Sequence, residues 1–276
     1  MAPASNPLVA SSASSIGAQC YDPCERKSAG CFAWSTVSVS GLICEFFGTL
    51  FVCFFTAIGL STLYWLSGNR ECCGAGAVEA ALVAGAALYV AVKTLGWNRV
   101  SHFNPATTLA FLFANRVSLI YAILLMIVQF AAGIVAGGFM RAFFYAFDIT
   151  LGTPVPAAGF SETRAFWLEW LAVFFITLHA LVREKRGKMS AIAYGGSTFV
   201  AALVLQRFTG ASLNPARQLG LAIFSGVGTS WWVYYLAAFT AAATAFVVYW
   251  IAILGYKQEV AAQLKKLKGD RTRGGN

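Results

Sequence analysis

The sequence predicts an all-α membrane protein with six transmembrane helices and two half-helices arranged as an inverted repeat. Of its 276 residues, 58% are hydrophobic and only 11% are charged, whereas about 25% of the residues in a soluble domain are charged. A helix needs about 20 apolar residues to cross a hydrocarbon core of about 30 Å. Six runs meet that length, near residues 39–66, 76–96, 118–140, 165–183, 190–207 and 231–255.

The distribution of charge favours a membrane protein over a nucleic-acid-binding one. The 20 Lys and Arg residues exceed the 11 Asp and Glu residues, but they cluster in short turns such as 183–188 and in the C-terminal tail. Basic residues mark cytoplasmic loops, and six spans place both termini on one side, so we expect both termini in the cytoplasm. The expected organisation is a disordered cytoplasmic tail (1–38), a channel domain (39–256, with halves 39–140 and 165–256) and a basic cytoplasmic tail (257–276).

The residues that could carry enzymatic or metal chemistry are few. All seven cysteines precede residue 74, and the chain has two histidines. Cys20 and Cys24 have the spacing of metal ligands but no accompanying His, so we expect neither a metal nor a cofactor. Because no Ser/His/Asp or Cys/His arrangement converges at a predicted site, the sequence argues against an enzyme. The segment Thr153-Pro154-Val155-Pro156 predicts an ordinary loop.

Two shorter apolar runs, residues 105–114 and 215–225, begin with the same tripeptide. Asn104-Pro105-Ala106 and Asn214-Pro215-Ala216 each place Asn at the N-cap and Pro at the first helical position, which favours a helix start. A run of about ten residues reaches about 15 Å, half of the hydrocarbon core. Three spans and a half-helix form an odd-numbered unit, so two copies should lie inverted in the membrane.

Inversion brings the N-termini of the half-helices together near the midplane. Each N-terminus carries about half a positive charge, so the facing pair should form a barrier to cations, hydronium included. If the carbonyl oxygens of Asn104 and Asn214 cap their own helices, each amide nitrogen should direct two donors to the lumen. A passing water accepts from both and its hydrogens turn outward, which interrupts a proton wire.

The segments before the two caps should be extended and should line the lumen with backbone carbonyls. Irregular backbone is tolerated at membrane depth only where it faces a wet cavity. The expected lining residues are Val100, Ser101, His102 and Phe103 before the first cap, and Gly210, Ser212 and Leu213 before the second.

These motifs resemble those of the aquaporins, the major intrinsic protein family. The resemblance covers about residues 40–255 and rests on both Asn-Pro-Ala motifs, Cys44-Glu45-Phe46-Phe47-Gly48-Thr49, Ser101-His102-Phe103, Gln129, Thr209-Gly210 and Arg217. It implies an aquaporin-like fold, a homotetramer with one pore in each protomer, and a passive channel for water that excludes protons and ions.

The resemblance also implies a constriction on the extracellular side. At the positions that the family uses, this chain carries Ala84, Ala202, Ala211 and Arg217. Water-selective members usually have Phe and His at the first two positions, so three alanines predict a wider and less polar opening. A broader channel for glycerol, urea, ammonia or hydrogen peroxide is therefore the alternative to a water channel. Gln218 matches neither the water nor the glycerol subgroup.

Several polar residues have two interpretations. Glu45 and Glu169 could be proton-relay acids, but the resemblance implies that they support the motif-bearing loops. His102 either faces the cytoplasmic vestibule, which the resemblance favours, or packs against the loop. Gln129 is interpreted as binding a loop carbonyl and His179 as an interhelical residue. Two other classes stay open: a coupled transporter, which also uses inverted repeats and broken helices, and a membrane-junction protein with a closed lumen.

Overall fold

The computed structural model describes residues 37–66, 75–96, 101–144, 152–184, 189–226, 228, 230–256, 259–260 and 263. The chain divides into two compact units, residues 29–247 and a second unit of residues 1–28 and 248–276. The expectations for residues 1–36, for Cys20 and Cys24, and for the basic tail beyond residue 263 lie outside the described residues.

The six predicted spans are confirmed within the described residues. Six helices there are long and apolar enough to cross a membrane, and their ends lie within a few residues of the predicted ones. They are α1 (Val39–Leu66), α2 (Ala75–Leu95), α4 (Leu119–Phe144), α5 (Glu162–Arg183), α6 (Ala191–Thr209) and α8 (Trp231–Val248), the last continuing as a π-helix over Tyr249–Leu254.

The two predicted half-helices are also confirmed. They are α3 (Pro105–Phe113) and α7 (Pro215–Ser225), of 9 and 11 residues. The Oδ1 atom of Asn104 accepts from the backbone N–H of Ala106 at 2.9 Å, and Asn214 accepts from Ala216 at 2.9 Å. Each Asn therefore caps its helix, and each Pro occupies a position whose N–H would have no helical partner.

Glycines allow the helices of the two halves to pack backbone to backbone. A Cβ atom on Gly133 of α4 would overlap the carbonyl oxygen of Ala216, and one on Gly220 of α7 would overlap the carbonyl oxygen of Gly133. Between α2 and α6, a Cβ atom on Gly85 would lie 2.8 Å from the carbonyl oxygen of Gly195, and a Cβ atom on Gly195 would lie 2.6 Å from that of Gly85. These contacts bring spans of one half against helices of the other, which positions both motif loops.

The outer faces of the helices are apolar, as a lipid environment requires. On α5, the large side chains Trp167, Leu171 and Phe175 follow one another at four-residue spacing and are about half exposed. His179 continues this row and is also exposed. The interpretation of His179 as a residue between helices of this chain is therefore wrong, because the helical period places it on the outer stripe.

Candidate functional site: the meeting point of the two half-helices

The N-termini of α3 and α7 meet, and the amide of each capping residue donates to the backbone carbonyl of the residue before the other cap. Nδ2 of Asn104 donates to the carbonyl oxygen of Leu213 at 2.8 Å, and Nδ2 of Asn214 donates to that of Phe103 at 2.8 Å. The expectation that both amide hydrogens of each Asn point to the lumen is wrong, because one of the two is used across the interface. One hydrogen on each Asn remains for another acceptor.

The backbone before the two caps is not extended, which corrects the prediction for these segments. Phe103 has φ 50°, and Ala211 and Leu213 have φ 46° and 56°. Each non-glycine residue in this left-handed region costs about 1–3 kcal/mol. In each loop, two successive N–H groups point to the same side: those of His102 and Phe103 both reach Glu45, and those of Ser212 and Leu213 both reach Glu169.

Glu45 anchors the first motif loop through its N–H groups. Its Oε1 accepts from the backbone N–H of His102 at 2.6 Å, and its Oε2 accepts from that of Phe103 at 2.8 Å. Gln129 donates to Oε2 of Glu45 at 2.7 Å and to the hydroxyl of Thr108 at 2.9 Å. The expected bond from Gln129 to a loop carbonyl is not the one observed, because the carboxylate of Glu45 stands between Gln129 and the loop.

Glu169 anchors the second motif loop in the same manner. Its Oε1 accepts from the N–H of Ser212 at 2.9 Å and from the hydroxyl of Thr209 at 2.6 Å, and its Oε2 accepts from the N–H of Leu213 at 3.0 Å. Only 1% of Glu169 is exposed. The repeated glutamate thus offsets the strained backbone of each loop with hydrogen bonds that a carboxylate makes strong.

His102 packs inside the protein, which contradicts the predicted vestibule position. Its Nδ1 lies 3.1 Å from the hydroxyl of Thr108, its ring centroid is 4.5 Å from that of Phe111, and 2% of it is exposed. Its carbonyl accepts from the hydroxyl of Tyr194 at 2.7 Å. Because α3 begins directly after the loop, its first turns present Thr108 and Phe111 to the imidazole.

A cavity of about 40 Å³ adjoins the meeting point. A cavity needs at least about 10–15 Å³ to hold one water, so a water molecule fits. Both capping Asn residues line it, as do all four residues of the predicted constriction. The lining residues are Val52, Thr56, Ala80, Ala84, Leu88, Phe103, Asn104, Ile176, Tyr194, Thr198, Ala202, Gln206, Ala211, Ser212, Leu213, Asn214 and Arg217.

Not every predicted carbonyl faces this cavity. Phe103, Ser212 and Leu213 line it, whereas the described residues Ser101, His102 and Gly210 do not. Val100 lies outside the described residues. The predicted ladder of free carbonyls is therefore shorter than expected, since the Phe103 and Leu213 carbonyls also accept from the two capping amides.

Arg217 is a buried cation held by backbone carbonyls. Its Nη1 donates to the carbonyl of Ala211 at 2.7 Å and to that of Ser212 at 3.3 Å, and its Nη2 donates to that of Gly152 at 3.4 Å. Only 2% of it is exposed. An arginine at membrane depth is expected to face carbonyls or water, and here it borders the cavity with three alanines.

The loop before α5 belongs to the site, which corrects its interpretation as an ordinary loop. Besides the Gly152 carbonyl on Arg217, the carbonyl of Pro154 accepts from Nε2 of Gln218 at 3.2 Å. A Cβ atom on Gly210 would lie 2.8 Å from the Cα of Pro154. No periodic pattern in the sequence indicates this docking; the two prolines and the unmatched Gln218 were the only local signals.

Six spans, two half-helices that meet tip to tip, and a cavity beside their junction define a multi-pass membrane channel. Residues 33–249 match the family described as Major intrinsic protein. The chain belongs to this family.

Relatives cover most of the chain. It is 30% identical to the human (Homo sapiens) lens fiber major intrinsic protein over 249 residues, which is 86% of this chain and 90% of that protein. It is 29% identical to Aquaporin A of Dictyostelium discoideum, over 76% of this chain and 77% of that protein. Among solved structures, the aquaglyceroporin from Plasmodium falciparum shares the fold, with a TM-score of 0.68 at 18% identity, covering 80% of this chain and 98% of that one.

Proposed function

We propose that the chain is a passive channel for water that excludes ions and protons; a broader channel for small neutral solutes is the second candidate. One observation carries this proposal: a single cavity is lined by Asn104 and Asn214 and by the four residues of the predicted constriction. A permeant molecule beside the Asn pair therefore lies in the same space as Ala84, Ala202 and Arg217.

The exclusion of ions follows from the charges around that cavity. The positive ends of two helix dipoles meet there, and the guanidinium of Arg217 adds a full positive charge at the border. Each capping Asn keeps one amide hydrogen beyond the bond it makes across the interface. A water that accepts from these donors directs its own hydrogens away, which interrupts proton transfer along a water chain.

The solute range follows from the size of three side chains. Ala84, Ala202 and Ala211 reach the cavity with a single methyl group each, so they neither narrow it as an aromatic ring would nor add a hydrogen-bonding group. This supports passage of glycerol, urea, ammonia or hydrogen peroxide as the second candidate function.

The buried glutamates support a channel over a proton-coupled transporter. Both oxygens of Glu45 and both oxygens of Glu169 accept hydrogen bonds from the loops or from neighbouring side chains. Neither residue lines the cavity. Carboxylates bound in this way act as fixed acceptors, whereas a relay acid must exchange its proton with the transport path.

For the whole protein we propose a homotetramer in the membrane with one pore in each protomer. We also propose that both termini are cytoplasmic, with residues 1–38 and 257–276 as tails of a channel domain over residues 39–256. Protease digestion of sealed, inside-out vesicles tests the topology: it should remove an epitope placed after residue 276, and protection of that epitope would contradict the orientation. Light scattering of the detergent-solubilised protein tests the tetramer.

Stopped-flow light scattering of proteoliposomes tests the channel. Wild type should transport water faster than empty liposomes, with no saturation and no response to a pH gradient. Ala202→Trp should close the cavity and return permeability to the empty-liposome value. Val204→Trp is the matched control, because Val204 is 53% exposed on the outer face of the same helix. Permeability equal to bare lipid for wild type would support the junction protein, and proton-driven flux would support the transporter.

A further inference from the structure

We propose that Gln206 makes this cavity prefer urea and other small primary amides over polyols of similar size. The inference rests on the proposed function, since it specifies the solute range of the same cavity. It concerns a residue outside the two motifs and outside the predicted constriction.

Gln206 lies on the face of α6 that borders the cavity. Tyr194, Thr198, Ala202 and Gln206 follow one another at four-residue spacing, and all four line it. Gln206 is therefore one helical turn from Ala202 on the same face, next to the level where the alanines supply no hydrogen-bonding side chain.

The terminal nitrogens of the nearby Arg217 are already engaged by the backbone. Both terminal nitrogens of Arg217 donate to backbone carbonyls, those of Ala211, Ser212 and Gly152. By contrast, three atoms of cavity-lining residues are buried and have no hydrogen-bond partner among the described residues: Oε1 of Gln206, Nε of Arg217 and Oγ of Ser212. A buried polar group without a partner is unfavourable, so a permeant molecule that supplies one is favoured there.

The geometry of an amide determines which solute fits. A carboxamide presents one N–H donor and one C=O acceptor side by side in a plane, and its terminal torsion is broad, so the Gln206 amide turns toward the cavity at little cost. Urea and acetamide present the complementary acceptor and donor at the same spacing. A polyol carries its hydroxyls on separate rotatable carbons, so it must order more bonds to form the same pair.

The opposite wall strengthens this preference. Ala80, Ala84 and Leu88 of α2 border the cavity at four-residue spacing and offer no polar side chain. A solute that enters loses hydrogen bonds to water, which costs free energy unless the wall replaces them. Since α2 supplies no polar side chain here, the amide of Gln206 lowers the barrier most for solutes that it can pair with at two points.

The test compares four solutes in proteoliposomes: urea and acetamide against glycerol and 1,2-propanediol, with water measured in every preparation. Wild type should pass acetamide faster than 1,2-propanediol, after subtraction of the flux through empty liposomes. Gln206→Met keeps a similar volume without the amide and should lower urea and acetamide permeability about 3- to 10-fold, the effect of one net hydrogen bond. Water and glycerol permeability should change less than about twofold.

Val204→Met is the matched control, since Val204 lies on the exposed face of α6, and it should leave all five permeabilities unchanged. An equal decrease for all four solutes in Gln206→Met, or no decrease for the amides, would overturn the role of Gln206. Should Gln206→Met fail to assemble, the wild-type comparison still decides: acetamide flux no faster than 1,2-propanediol flux overturns the preference. Water flux distinguishes the two proposals, because its absence in wild type refutes the channel itself.

Discussion

Replacement of Glu169 by Gln isolates the contribution of one carboxylate to the second motif loop. Glu169 accepts from the N–H groups of Ser212 and Leu213 at 2.9 and 3.0 Å and from the hydroxyl of Thr209. A glutamine keeps one acceptor oxygen and turns the other into an NH₂ group. That NH₂ faces a loop N–H, so two donors oppose each other where a strong bond existed.

The structure sets the size of the effect. A hydrogen bond to a charged group contributes about 1.5–3 kcal/mol, and a buried donor left without an acceptor costs about 1–3 kcal/mol. The loop also contains Ala211 and Leu213 in left-handed conformations, which need compensation of about 1–3 kcal/mol each. A loss of about 3 kcal/mol shifts the equilibrium between formed and rearranged loop by about 150-fold. We therefore expect the water permeability of each folded Glu169→Gln protein to fall at least about tenfold.

The assay is stopped-flow shrinkage of proteoliposomes, normalised to protein that elutes as the native oligomer. Glu162→Gln is the matched control on the same helix: Glu162 accepts from Ser230 at 2.7 Å and from the indole of Trp232 at 2.8 Å, away from the motif loops. It should change permeability less than about twofold, since it removes a comparable bond at a distance from the cavity. Wild-type permeability in folded Glu169→Gln protein would refute the assigned role of the carboxylate.

Three further variants probe other parts of the site. The double variant Ala84→Phe and Ala202→His should reduce glycerol and urea flux more than water flux in the same vesicles; equal losses would contradict the assignment of these positions. Gly133→Ala should reduce the yield of folded protein and its thermal stability, by about 1–3 kcal/mol for an overpacked contact, because its Cβ meets a carbonyl of α7; unchanged melting would argue against the close packing. Gln218→Leu removes the bond to the Pro154 carbonyl and should alter the ratio of glycerol to water flux; an unchanged ratio would show that the loop does not position Arg217.

The spans and half-helices could be predicted because each depends on local properties of the chain. Membrane length sets the number of apolar residues in a span, and the Asn-Pro pairs at 104 and 214 define two helix starts without reference to the rest of the fold. The membership of Ala84, Ala202, Ala211 and Arg217 in one cavity followed from the family resemblance. Each of these predictions needed only the local sequence or the position of a residue relative to the family's motifs.

The predictions that were wrong depend on how the two halves dock. Asn104 donates to a carbonyl 109 positions away, so no local pattern shows that one of its hydrogens is occupied. The assignment of Gln129 to a loop carbonyl was wrong because Glu45 lies between them, and that position depends on how the helices pack. The docking of Pro154 on Gly210 and Gln218 was missed for the same reason, since irregular loops have no periodic pattern from which their contacts could be predicted.

The reciprocal bonds between the capping amides and the opposite carbonyls make each half of the chain incomplete by itself. A half inserted alone would leave the Leu213 or Phe103 carbonyl without its donor at a depth where water is scarce, at a cost of about 1–3 kcal/mol for each group. Two separately synthesised fragments, cut between residues 144 and 152, should therefore recover transport only when produced together.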